Sequence, residues 1–219
     1  MKVRELLHIS AHRQRQLSRA MQVILIGLVF IGLDRGNLGI VINAAVGLGV
    51  TYLPAILERD YRIPMDAGLT LWISSAAFLH ALGTVGFPGS ETSFYAGIWW
   101  WDHLTHALSS SVVAGAGYAT VRALDEHTDA IYLPPRFMFV FILLFVLAFG
   151  VFWEVIEFAI SGVAALAGTG SVLTQYGPND TLLDLVFDAI GGLIVAIWGT
   201  AHLSDVVGAI QTRFERSPR

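Results

Sequence analysis

Three apolar stretches of this chain carry acids and histidines at helical spacing. The first holds Asp102, His103 and His106, the second Glu154 and Glu157, and the third Asp180, Asp184 and Asp188. Asp102 and His106 are four residues apart, as are Asp184 and Asp188, while Glu154 and Glu157 are three apart. On helices each pair therefore shares a face, and its side chains can reach one centre. Carboxylates joined by imidazole suit a divalent zinc, iron or manganese ion, and helical bundles do hold metals between carboxylate-rich helices. The metal set expected on this basis is Asp102, His103, His106, Glu154, Glu157 and Asp184. His103 points about 100° away from Asp102 around the helix, so it can equally face a neighbouring element. Asp180 or Asp188 would be the spare carboxylate, a candidate general base. Asp180 and Asn179 also suit the start of a helix, where either would serve as a cap. His80 stands alone in a further apolar stretch, where a hydrogen-bonded structural role is the simpler reading.

Charge makes this grouping unusual. A carboxylate near the middle of a membrane costs about 2.5–3.5 kcal/mol, and no Lys or Arg lies within the apolar stretches to offset these acids. Protons or a cation must compensate. A divalent metal is one solution; a titrating carboxyl network and a water-bridged structural cluster are the others. The spacing is neither H-E-x-x-H nor the E-x-x-H of ferritin-like helices.

The elements that position these groups follow from composition. Of 219 residues, 55% are hydrophobic and only 14% charged, against about 25% charged in soluble domains, and the mean hydropathy is +0.64. Disordered, coiled-coil and ordinary soluble-enzyme classes are excluded. There is no cysteine, so thiolate sites and disulfides are excluded too. A net charge of −4 gives no general attraction for nucleic acid. The remaining class is an all-α integral membrane protein in contact with the lipid bilayer. Its apolar runs predict six transmembrane helices, at about 17–33, 38–57, 67–87, 94–121, 137–166 and 181–203. These form one transmembrane domain over 1–219. A basic arm covers 1–16, the six-helix bundle 17–203, and a basic tail 205–219, both tails lying on the anionic inner surface. The first run ends at Gly32-Leu33-Asp34-Arg35 without a small-residue cleavage pattern, so it reads as a retained helix and not a signal peptide.

Every one of the 13 Lys and Arg residues except Arg35 falls in the arm, at Arg19 in the first turns of the first span, in the tail, or in the loops after the second and fourth spans. The positive-inside rule then puts both termini in the cytoplasm of a multi-pass cell-membrane protein. Asp102 to His106, Glu154 to Glu157, and Asp184 to Asp188 fall in the outer half of their spans. Gly39, Asn43, Gly47 and Thr51, and likewise Ala107, Ser111, Gly115 and Ala119, form small-residue ridges suited to close helix packing. Trp99, Trp100 and Trp101 read as interfacial anchors.

These residues carry a resemblance. Asp102-His103-Leu104-Thr105-His106, Glu154-Val155-Ile156-Glu157-Phe158, and Thr174-Gln175 with Asp180-Thr181-Leu182-Leu183-Asp184 resemble three segments of the YjdF-type family of small inner-membrane proteins. The resemblance covers roughly 95–200. It implies a multi-helix membrane fold and marks Asp102, His106, Glu154, Glu157, Asp180 and Asp184; His103 and Asp188 have no counterpart in it, and Tyr176 and Pro178 occupy a loop that the family fills differently. It implies no particular reaction. Three functions compete: a metal-dependent enzyme acting on a lipid or membrane-associated substrate, hydrolytic or oxidative; a metal-ion or proton-coupled transporter; and a non-catalytic membrane partner. The apolar inner half of the fifth span, Phe137 to Phe149, disfavours a polar path through the membrane.

Overall fold

The first three helices begin where the sequence supplies a cap. Ser10 Oγ accepts from Arg13 N (3.3 Å) to open α1, Ala11–Asp34. Asn37 Oδ1 accepts from Ile40 N (3.1 Å) to open α2, Leu38–Tyr61. Asp66 Oδ1 does the same for Leu69 N (2.9 Å) at α3, Ala67–Gly83. Each satisfies a backbone donor that the first turn leaves without a partner. A short α4, Phe94–Gly97, precedes α5, Trp101–His127. Then come α6, Pro135–Ala167, closed by Gly168 at φ 67°, and α7, Pro178–Arg216. The computed structural model describes residues 9–90, 92–128, 132–173 and 177–216, and among these every regular element is helical.

Two three-helix units build the molecule. In one, α1, α2 and α3 pack around Leu25, Leu28, Ile40, Ala44 and Ala81. In the other, α5, α6 and α7 pack around Ala114, Tyr118, Met138, Ile142, Val146 and Val195. The joint is α3 against α5, where Trp72 Nε1 donates to Ser111 Oγ at 3.0 Å. The helices α2 and α6 make no extended packing contact, leaving the units apart on that side. Both small-residue ridges face packed neighbours: Asn43, Gly47 and Thr51 on α2, and Ser111, Gly115 and Ala119 on α5, are buried. At Gly191 on α7 the backbone of α5 comes so close that a Cβ would overlap Ser110 Oγ and the carbonyl oxygen of Ala107.

Four helices are long and apolar enough to cross a bilayer: α1, α2, α6 and the Pro178–Gly199 part of α7. The third candidate, α3, is apolar but only 17 residues long. Large side chains such as Phe30, Val46 and Phe158 point outward with at least 61% of their surface exposed, as a lipid-facing surface requires.

The structure corrects two expectations and extends a third. The fourth run is not one helix from Phe94: the chain breaks after α4, and α5 starts at Trp101. Trp101 is not an interfacial anchor. It is buried, and its indole N–H donates to the carbonyl oxygen of Leu79 at 3.2 Å, whereas Trp99 and Trp100 are exposed. Residues 205–216, the described part of the expected basic tail, continue α7. Val206 and Val207 are buried beside Ala123, and Gln211 Nε2 donates to Glu126 O at 2.8 Å. At 39 residues, α7 is about 58 Å long, against roughly 30 Å of hydrocarbon.

Candidate metal centre

Spacing along α5 and α7 brings the acids and histidines together, because Gly191 lets the two backbones approach closely. His106 is the hub. Its Nε2 lies 3.7 Å from Asp102 Oδ1 and 3.8 Å from Asp184 Oδ1. One ligand atom from each of Asp102, His106 and Asp184 falls within 4.8 Å of the others. Zinc bonds of about 2.0–2.2 Å place neighbouring ligand atoms of a tetrahedron about 3.3–3.5 Å apart. The two His106 separations exceed this by a few tenths of an ångström, and the Asp102–Asp184 separation, at no more than 4.8 Å, would have to close by up to about 1.5 Å for the three to share one ion.

Asp184 is 2% exposed, and its buried Oδ1 has no hydrogen-bond partner. A buried acceptor in that condition costs roughly 1–3 kcal/mol, and more when charged. The same oxygen lies 3.7 Å from His103 Nδ1, which is also buried without a hydrogen bond. The His103 ring stacks on Phe187 with centroids 4.5 Å apart, so it is held facing α7 and not the interface.

On the other side of the His106 ring, Nδ1 lies 3.3 Å from Asp188 Oδ1. The Asp188 carboxylate fits against α6 because residue 150 is glycine; a Cβ there would overlap its Oδ2. A histidine that turns one nitrogen toward ligands and the other to a carboxylate has the arrangement that fixes tautomer and ring orientation in metal sites.

On α6, Glu154 and Glu157 are both buried. Thr181 Oγ1, at the start of α7, donates to Glu154 Oε2 at 2.7 Å, and Trp153 Nε1 donates to Glu157 Oε1 at 3.1 Å. Asp180 stands half-buried in the first turn of α7, one turn before Asp184 and on the same face. The arginine ion pairs among the described residues, Arg59 with Asp60 and Arg122 with Asp125 and Glu126, lie in other parts of the chain.

A polar cavity of about 180 Å³ opens beside the cluster, reached by Asp102, His106, Glu157, His80, Tyr95 and Asn43. The segment after α6 covers it. Asn43 Nδ2 donates to Val172 O (2.8 Å) and to Gly39 O (2.9 Å), and Ser161 Oγ donates to Leu173 O (2.8 Å). Asn43→Ala is expected to leave the Val172 carbonyl without its donor, at a cost of about 1–3 kcal/mol. The check is thermal unfolding of purified protein, with Tm falling roughly 2–4 °C per kcal/mol.

Two wall residues were not assigned to the site from sequence. His80 is held by Tyr95, whose Oη lies 2.9 Å from His80 Nδ1 and donates to its carbonyl oxygen at 3.2 Å. Tyr95 comes from the short α4, which no periodicity marks. Thr174 and Gln175, which carry part of the third motif, and Tyr176 beside them lie outside the described residues.

Comparison with known proteins bears on this chain as a whole. The sequence model of a family described as "Predicted membrane protein (DUF2238)" matches residues 17–205. An uncharacterised protein of Thermotoga maritima is 29% identical over 140 residues, covering 64% of this chain and 66%, just under two thirds, of its own length. No solved structure matches.

Proposed function

Because the chain belongs to the DUF2238 family of predicted membrane proteins, we propose that its acid and histidine cluster is the divalent-metal centre of a membrane enzyme, one that hydrolyses an ester or phosphodiester of a lipid or membrane-associated substrate. The observation that carries this reading is Asp184 Oδ1. It is buried, lacks a hydrogen bond, and faces imidazole nitrogens of His103 and His106 at 3.7 and 3.8 Å. A protonated His106 would neutralise one of the three aspartates around it and leave two facing each other. A divalent cation neutralises two of the three and leaves a single aspartate, Asp188, against His106 Nδ1.

In this reading Asp102, His106 and Asp184 hold the ion; Glu154, Glu157 and His103 border it. Zinc, iron and manganese all suit such donors. A bound ion supplies a Lewis acid that polarises a carbonyl or phosphoryl oxygen. Asp180, at the mouth of the site, takes the proton of the attacking water and returns it to the leaving alkoxide. Asp188, which the sequence offered as an alternative base, instead orients His106 through Nδ1. Asp188→Asn is accordingly expected to lower metal affinity about 10–100-fold while the chain stays folded. Competition titration with a chromogenic chelator measures this; unchanged affinity would remove the positioning role.

The topology belongs to the same proposal. Six helices, α1 to α3 and α5 to α7, cross the bilayer with both termini cytoplasmic. Lys and Arg placement supports the orientation, since Arg35 alone of the 13 falls on the other side. The polar character of α5 fits a span enclosed by α3, α6 and α7, against which it packs. The cluster then opens toward the outer leaflet. Elemental analysis of detergent-purified wild-type protein tests the metal: about one ion per chain supports it, and a metal-free preparation from metal-replete cells opposes it.

A further inference from the structure

A second cavity, of about 420 Å³, is continuous with the polar one: His106, His80, Asn43, Val172 and Leu173 line both. Its character is the reverse. From Asn43 to Val50 on α2 and from His106 to Val113 on α5 it runs about 10 Å along the helices, away from the segment that covers the cluster. Its walls include Val46, Val113, Ile73 and Val146, with Ala77 of α3 among them. Such a volume lies within the ligand-cavity range of ~300–1,000 Å³.

The cavity also has a side door. It lies between the two three-helix units, where α2 and α6 stand apart. Val46 on α2 and Phe149 on α6 line it and are themselves exposed on the lipid-facing surface, at 61% and 42%. A polar chamber with buried carboxylates at one end, an apolar chamber at the other and an opening into the hydrocarbon match the form of one class of molecule. We propose that the apolar cavity takes one acyl chain of a bilayer phospholipid, entering sideways between α2 and α6, so that the polar part of the lipid rests against His106 and Asp102. This deepens the proposed function, on whose reacting centre it rests for its meaning.

The volume sets the stoichiometry. A space this size, about 10 Å long, holds part of a single hydrocarbon chain, so the second chain of a diacyl lipid stays in the bilayer. The head is thereby brought to the cluster without leaving the membrane, and water is displaced from the apolar side of the reacting bond.

Photocrosslinking tests this on the full-length protein. The probe is a phosphatidylethanolamine with a diazirine on one acyl chain, in vesicles of phosphatidylethanolamine and phosphatidylglycerol. Mass spectrometry locates the adducts. In the wild type, adducts are expected on Ile73, Val113 or Val146 inside the cavity, in addition to outward-facing positions such as Val46, Phe149, Phe152 and Val155. Ala77→Phe fills the cavity from α3 and should abolish the cavity adducts while keeping the outward ones; Val113→Phe fills it from α5 and serves if Ala77→Phe does not fold. Adducts confined to outward-facing residues in the wild type would overturn the proposal, as would cavity adducts undiminished in a folded filling variant. Labelling is repeated on His106→Ala and on chelator-treated protein. Cavity adducts in wild-type protein that elemental analysis finds metal-free would keep the acyl-chain site and remove the metal centre, whereas metal-loaded wild type without cavity adducts would do the reverse, so the two failures are distinguishable.

Discussion

His106→Ala is expected to take the metal content of the purified protein from about one ion per chain to below about a tenth. The reason is its place in the cluster. Nε2 is within 3.8 Å of both Asp102 and Asp184, and Nδ1 is 3.3 Å from Asp188, so one ring touches every carboxylate that α5 and α7 contribute deep in the site. Without it the remaining ligands are the oxygens of Asp102 and Asp184 on two helices, and no imidazole remains within reach except His103, which is stacked on Phe187. Removing one partner from a buried charged group is strongly destabilising, by about 3–5 kcal/mol, because the partners stay buried. A fall in Tm should accompany the metal loss. His106→Gln, which keeps a polar group on the same face, should recover part of the Tm and little of the metal. Retention of full metal by a folded His106→Ala protein would exclude this histidine as a ligand.

Gly191→Val is expected to destabilise more than any substitution on the lipid-facing surface. A Cβ at 191 would overlap Ser110 Oγ and Ala107 O and would lie 2.9 Å from the amide nitrogen of Ser111. Two of these three atoms are backbone, so no rotamer change on α5 makes room. Overpacking of this kind costs typically about 1–3 kcal/mol, and more where backbone must move. The consequence reaches the site, since α7 carries Asp184 and Asp188 and α5 carries Asp102 and His106. Pushing the two helices apart therefore lowers both Tm and metal affinity. Gly162→Ala on α6 is the control. A Cβ there meets nothing within 4 Å, and alanine is favoured over glycine in a helix by about 1 kcal/mol, so Tm should stay level or rise. Equal losses in the two variants would show that helix propensity, not the α5–α7 approach, sets the effect.

Much of this arrangement is legible in the sequence, for identifiable reasons. Long apolar runs with capped starts at Asn37 and Asp66 mark helices whatever they pack against. Residues four apart on one helix share a face, so Asp102 with His106 and Asp184 with Asp188 could be paired before any contact was known. What spacing cannot give is which nitrogen of His106 meets which carboxylate. That depends on how α5 lies on α7 and on the notch at Gly150, both properties of the packed chain. Trp101 misleads because three consecutive tryptophans look like an interfacial belt; only the position of the Leu79 carbonyl reveals that the third turns inward. Val206 and Val207 follow an apolar span amid polar residues, and their burial requires α5 to extend equally far, to His127. Tyr95 reaches the cavity from a four-residue helix that carries no periodic signal.

X-ray absorption spectroscopy at the edge of the metal that co-purifies reads the centre most directly. The expected spectrum contains one imidazole together with carboxylate oxygens at about 2.0–2.2 Å, and the metal-edge signal itself should fall to near background in His106→Ala. A first shell of oxygen alone in the wild type, or no metal above background in fully folded protein, would contradict the assignment of Asp102, His106 and Asp184 as its ligands.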